Sequence, residues 1–303
     1  MKFLSIFKKV RPFLVVGIII GTIAAFVYYF HAHPEYIDKL FAINPIIILA
    51  LVAVNFGLIT AVAFINHVSA QICRIELEKR ESFLLTIYSS LANFFGPLQS
   101  GPGVRAGYLK ARHHVRLRDY SLVTLIGYGF FAVISALFLV VGVMPWWASL
   151  LIVIAAAVVS IVTIRWFARR ASKTDSTAPL HLSGRYLGIL GFATILQVSF
   201  TAIRYGIELA AVGAHATLGQ VISYAGAANF SLFVSITPDG IGIRETFLLF
   251  AQRLHGVSTE HIVAASLIDR AAYVVFLALL GIIAFALHAH KRFSAKKLDK
   301  EDS

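Results

Sequence analysis

Residues 120–164 read YSLVTLIGYGFFAVISALFLVVGVMPWWASLLIVIAAAVVSIVTI, a run of 45 residues without one Asp, Glu, Lys or Arg. A helix needs about 20 apolar residues to cross the hydrocarbon core of a bilayer. The run is therefore two spans. The break between them falls at Met144-Pro145-Trp146-Trp147, where proline stops a helix and paired tryptophans suit the membrane–water interface. The rest of the chain follows the same pattern. Of its 303 residues 58% are hydrophobic and 14% charged, with mean hydropathy +0.80, against roughly 45–50% apolar and about 25% charged in a soluble domain. Those proportions exclude a disordered chain, a collagen, a disulfide scaffold and an ordinary soluble enzyme. They predict an all-α integral membrane protein, with residues 1–303 as a single membrane domain. Cys73 stands alone and cannot form an intramolecular disulfide.

Working outward, the uncharged runs predict spans at 13–30, 45–66, 120–142, 148–166, 187–212 and 265–288. The first follows Lys2, Lys8, Lys9 and Arg11 as a signal peptide would. It is read as an uncleaved anchor, because the polar His31-Ala32-His33-Pro34-Glu35 follows it where a small-residue cleavage site would stand. Segments 82–104 and 218–254 are also apolar, and charge decides how they run. If 82–104 crossed fully, Arg105 to Arg118 would lie opposite Arg74, Lys79 and Arg80. If it dips in and returns, 22 of the 27 Lys and Arg residues collect on one side: Lys2 to Arg11, Arg74 to Arg80, Arg105 to Arg118, Arg165 to Arg185, and Lys291 to Lys300. Basic loops stay in the cytoplasm. The expected fold is about six transmembrane helices plus two re-entrant helical hairpins, with both termini cytoplasmic and a basic-acidic tail at 291–303. The net charge of +12 fits such loops and the anionic headgroups near them, and no nucleic-acid partner is expected.

The two re-entrant segments resemble each other. Ala92-Asn93-Phe94 and Ala228-Asn229-Phe230 are each followed by a proline nine residues after the Asn, Pro102 and Pro238. Glycines lie near both prolines, Gly101 and Gly103 beside Pro102 and Gly240 and Gly242 after Pro238, and an arginine follows each, Arg105 and Arg244. Three expected spans separate the copies, so they would enter from opposite faces. Repeat halves of about 1–143 and 144–290 result, and an inverted repeat with broken helices meeting near the midplane is a transporter design.

Ionisable side chains inside a membrane are costly and need a partner or a function. Arg204 and Glu208 lie at i, i+4 on the fifth span and can pair. They are read either as a structural ion pair or as an arginine that meets a lipid phosphate when Glu208 releases it. The richest stretch is Ser235-Ile236-Thr237-Pro238-Asp239-Gly240-Ile241-Gly242-Ile243-Arg244-Glu245. Pro238 ends one helix and Asp239 can cap the next, expected to run to about Arg253. Gly240 and Gly242 allow close backbone approach. The start of that helix would offer N–H groups to an anion, with the Arg244 guanidinium one turn in and Glu245 beside it. Asp269 and Arg270 are expected to open the last span, about 100° apart, facing different partners. No nucleophile–base pair and no ATP-binding loop stands out, so neither catalytic residues nor an enzymatic activity is expected. His31/His33 and His288/His290 lack completing ligands, and neither metal nor cofactor is expected.

The segments Ile236 to Glu245 and Ala264-Ala265-Ser266-Leu267-Ile268-Asp269-Arg270 resemble the P-x-G-x-G-x-x-E and apolar-x-R elements of the flippase-like membrane region of lysylphosphatidylglycerol synthases. Pro102-Gly103-Val104-Arg105-Ala106-Gly107-Tyr108 is similar to the family's first-copy loop, though it has an extra Gly and lacks an acidic residue after its Arg. The resemblance spans roughly residues 10–290. It implies a lipid-handling membrane fold in a bacterial or archaeal plasma (inner) membrane, with Pro238, Gly240, Gly242, Glu245, Arg270 and Arg105 as carried-over functional positions. The 303 residues hold no soluble aminoacyl-transferase domain, so synthesis of an aminoacyl lipid is not expected of them.

Taken together, the sequence predicts a flippase-like lipid translocase that moves a phosphate-containing or otherwise charged lipid between leaflets. Its substrate-contacting residues would be Arg105, Arg204, Glu208, Pro238, Asp239, Gly240, Gly242, Arg244, Glu245, Asp269 and Arg270. Expected partners are anionic or polyprenyl-linked membrane lipids, with a second copy of the chain left open. A small-solute secondary transporter and a non-transporting partner of a lipid-modifying enzyme are the alternatives. Reporter fusions at Ser303 and in the Lys173–Ala178 loop should both report cytoplasm; an external signal from either removes the six-span topology.

Overall fold

A computed structural model describes residues 44–95, 100–142, 144–152, 180–233 and 243–301, with isolated positions between 154 and 162. The expected span 13–30, much of 148–166 and the turn containing Pro238, Asp239, Gly240 and Gly242 lie outside the described residues. All labelled elements are helices: α1 Pro45–Ile72, α2 Lys79–Phe95, α3 Gly101–His113, α4 Leu117–Val141, α5 Gly184–Ala211, α6 Leu218–Ser231, α7 Ile243–Phe250, α8 Gln252–His255 and α9 Thr259–Glu301. Four of them, α1, α4, α5 and the 259–284 part of α9, are long and apolar enough to cross a membrane. They cover four of the expected spans.

Local chemistry sets the helix starts. Asn44 caps α1 by accepting from the Ile46 amide at 2.9 Å, with Pro45 in the first turn. Ser183 does the same for α5 through the Tyr186 amide at 3.4 Å. On α6, Thr217 and Gln220 form a reciprocal capping box. Two boundaries differ from the sequence reading. The helix expected to run to Arg253 stops at Phe250, and the chain bends at Ala251 before the short α8. The last helix begins at Thr259, so Asp269 and Arg270 sit almost three turns inside it rather than at its start. No proline interrupts 259–301 and Gly281 is its only glycine, so nothing breaks the helix there.

The two short-helix pairs each fold back on themselves. In the first, Asn93 Oδ1 accepts the Gly101 amide at 2.6 Å and Ser100 Oγ donates to the Ala92 carbonyl at 2.5 Å. At the far end Tyr108 donates to Glu81 at 2.5 Å and His113 pairs with the same oxygen at 2.8 Å. Early α2 thus meets late α3, an antiparallel hairpin. Burial alone would raise the Glu81 carboxyl, but the bonds from Tyr108 and His113 outweigh it and hold it below the ordinary carboxylate range. In the second pair, Phe230 meets Phe247 with ring centroids 6.0 Å apart, and Tyr224 meets His255 at 5.1 Å. His255 Nε2 donates to the Leu248 carbonyl at 2.8 Å while Nδ1 accepts the Val257 amide at 3.1 Å. That arrangement requires a neutral imidazole, which fixes the turn from α7 to α9 without burying a charge.

Each hairpin has its own core. Ile87 and Phe94 of the first pack with Phe276 and Leu280 of α9; Tyr224 and Leu248 of the second pack with Tyr205 of α5 and Ile262 of α9. In lipid the apolar effect gives helices little reason to associate, so small residues that allow close packing carry the contact. Here α6 rests on α4 through Gly226 and through the Gly142–Gly219 pair. A Cβ added to Gly226 would lie 2.7 Å from the Ser135 carbonyl oxygen and would collide with the Leu139 backbone, neither of which can rotate away. We therefore expect Gly226→Ala to lower the thermal unfolding temperature of the detergent-purified protein, at a cost of about 1–3 kcal/mol. Gly127→Ala, where a Cβ meets nothing within 4 Å, is the control and should leave that temperature unchanged or raise it.

Candidate functional site

The sequence spaces six ionisable residues over three helices, and the fold gathers them. Arg204 and Glu208 share one face of α5, Arg244 and Glu245 open α7, and Asp269 and Arg270 lie side by side on α9. Asp269 is the centre. Its Oδ2 lies 2.6 Å from Arg244 Nη2 and its Oδ1 lies 3.3 Å from Arg204 Nε, both as ion pairs. Glu208, with no exposed surface, lies 3.6 Å from the same Arg204 nitrogen. About 100° around α9, Arg270 donates to Glu245 Oε1 at 3.1 Å, and Ser266, one turn earlier, donates to that oxygen at 2.6 Å. Glu245 also lies 3.6 Å from Arg244 Nη2, which joins the two halves of the network.

Neutral groups complete it. Asn55 of α1 accepts Arg204 Nη1 at 3.3 Å and anchors its own amide nitrogen on the Leu51 carbonyl at 2.9 Å. Tyr205 accepts Arg244 Nη1 at 3.4 Å, and its ring centroid lies 4.9 Å from the Arg204 guanidinium carbon. Three arginines thus face three carboxylates, and burial of that many charges is tolerable only because each is paired.

Arg105 is different. It projects from α3 and donates to Asn66 Oδ1, while Asn66 in turn donates to Thr86 at 2.8 Å. Among the described residues no carboxylate forms an ion pair with Arg105, and its buried Nε has no hydrogen-bond partner.

A cavity of about 910 Å³ lies between these elements. The first hairpin contributes Asn93, Ser100 and Arg105 to its wall, and the second contributes Asn229 and Arg244. Asn93 and Asn229, the matching residues of the repeated tripeptide, therefore reach the same space. Arg204 and Asp269 line it from the long helices, whereas Glu208, Glu245 and Arg270 stand behind the wall.

Of the predicted positions, Arg204, Glu208, Arg244, Glu245, Asp269 and Arg270 come together, and Arg105 reaches the same cavity from the opposite hairpin. Arg244 and Arg270, both among the expected substrate contacts, are engaged by carboxylates here: Arg244 by Asp269 and Glu245, and Arg270 by Glu245. Pro238, Asp239, Gly240 and Gly242 fall outside the described residues. Asn55, Asn66, Tyr205 and Ser266 were not singled out from sequence. Asn55 and Asn66 carried a signal, because 11 residues on a helix is nearly three full turns and puts both amides on one face of an apolar span. Among the described residues no group of three or more His, Cys, Asp or Glu side chains is arranged to hold a metal ion.

Long apolar helices and two helical hairpins that share one polar cavity define a membrane protein with an internal site open to polar groups. More particularly, the family model for the lysylphosphatidylglycerol synthase TM region matches residues 13–281, and the chain belongs to that family. A comparison with curated proteins finds no match.

The network makes a stability prediction. Asp269→Asn leaves Arg204 and Arg244 without their shared counter-ion, and removing one partner of a buried pair costs about 3–5 kcal/mol. Detergent-solubilised D269N should unfold at a markedly lower temperature than the parent; an unchanged unfolding temperature would mean the bridge is not a structural tie.

Proposed function

We propose that this chain is a lipid translocase, moving a charged lipid between the leaflets of a bacterial or archaeal plasma membrane. The observation that carries the reading is the cavity of about 910 Å³ that both hairpins line, where charged and amide side chains stand among apolar ones inside a set of apolar helices. A headgroup can occupy such a space while its acyl chains stay in lipid. In this reading the hairpins are re-entrant elements of an inverted repeat, entering from opposite faces and meeting near the midplane, with both chain termini in the cytoplasm. Alternating access then follows from rocking one repeat against the other. The membrane lipid is the partner, and the chain does no covalent chemistry on it.

The test is reconstitution of the purified chain into vesicles carrying a trace of fluorescent phosphatidylglycerol in both leaflets, with a membrane-impermeant quencher added outside. Translocation should let the quencher remove well over half of the fluorescence on the assay timescale. A quenched fraction equal to that of protein-free vesicles, with correctly folded protein present, overturns the reading.

A further inference from the structure

The charges on the cavity wall are unequal in kind. Among the described residues Arg204, Arg244 and Arg105 line it, against Asp269 alone. Arg204 and Arg244 both lean on Asp269 and are backed by Glu208 and Glu245. Arg105, across the cavity, is held only by the neutral Asn66, and among the described residues it forms no ion pair. A neutral amide fixes the guanidinium in place without cancelling its charge. Asn229, 4% exposed and also on the wall, has an amide nitrogen without a hydrogen-bond partner among the described residues. At Gly103, on the wall beside Arg105, a Cβ would meet nothing within 4 Å. The cavity therefore holds a pinned cation and a spare buried donor. Asp269, the one carboxylate among the described residues that line it, is already shared by two arginines, so among those residues an ammonium group would find no free acceptor charge.

We propose that the cavity binds a phosphate-ester oxyanion at Arg105, with Asn229 as a second donor. It thereby selects lipids whose headgroup is net negative over neutral lipids and over aminoacylated lipids, whose added amines cancel or reverse the phosphate charge. The lipid source of that oxyanion rests on the translocase reading; the anion site itself does not. Arg105 contacts the ligand directly. A guanidinium fork suits phosphate oxygens, and a lysine retains the charge but not the fork.

The purified full chain in a non-ionic detergent is titrated with phosphatidylglycerol, lysyl-phosphatidylglycerol, diacylglycerol and inorganic phosphate, reading the shift in thermal unfolding temperature. The parent should bind phosphatidylglycerol about tenfold or more tightly than either other lipid, since about 1.4 kcal/mol corresponds to one decade. Arg105→Gln should lose that preference, Arg105→Lys should keep part of it, and both should unfold near the parental temperature, because Arg105 has no ion pair to lose. Equal binding of the three lipids by the parent, or undiminished preference in R105Q, overturns the proposal. If R105Q unfolds early, R105K decides: a folded R105K that prefers diacylglycerol or the aminoacyl lipid also overturns it. Binding of inorganic phosphate that depends on Arg105, without binding of phosphatidylglycerol, upholds the anion site and instead removes the translocase reading.

Discussion

The structure depends on one carboxylate. Asp269 pairs with Arg244 of the second hairpin at 2.6 Å and lies 3.3 Å from Arg204 of α5. Its own helix, α9, also supplies the core that holds the first hairpin, through Phe276 and Leu280. A single side chain thus ties three helices where there is little other reason for them to meet, because neighbouring lipid tails are as apolar as the helices themselves. The tie is strong for the reason it is risky. Charges in a low-dielectric interior attract across short distances far more than in water, and each becomes a large penalty if its partner is taken away.

The same constraint explains the order of residues along the helices. Asp269 and Arg270 are adjacent, so they point about 100° apart and cannot satisfy each other. Asp269 turns to two arginines, while Arg270 turns to Glu245, where Ser266, one helical turn away, adds a third contact. Arg204 and Glu208 share a face, yet Arg204 lies slightly nearer to Asp269 than to Glu208. The network is shared among three helices, not assembled from three separate pairs.

Much of this was legible beforehand. Uncharged runs located the four long helices, since an apolar stretch of that length has few stable destinations other than a bilayer. The tripeptides around Asn93 and Asn229, with prolines nine residues on, marked the two hairpins. What sequence could not supply was pairing in space. Arg105 follows its proline by three residues and Arg244 by six, and only Arg244 has a carboxylate beside it in sequence, Glu245. That one meets Asp269 and the other Asn66 is set by which helix packs opposite, which neither local sequence encodes. The start of α9 differs for a simpler reason. The apolar run places a span at 265–288 with Asp269 and Arg270 near its mouth, whereas the helix begins at Thr259 and charges that find partners can sit well inside it.

The contrast between Glu208 and Arg105 turns on water. Glu208 has no exposed surface and does not line the cavity, so its carboxyl is met by protein alone, with Arg204 3.6 Å away. Arg105 faces a space of about 910 Å³, ample for tens of water molecules at about 30 Å³ of liquid each. Hydration on that side lowers the cost of holding a cation without a counter-ion, and the hydrogen bond to Asn66 holds its direction. A cation of this kind keeps its field, because no carboxylate among the described residues cancels it, and remains available, because only solvent has to leave. The network around Asp269 has the opposite property: its charges already have partners, so a ligand must compete with an ion pair to use any one of them. Within one cavity the first arrangement favours reversible binding of an anion, and the second favours a fixed wall.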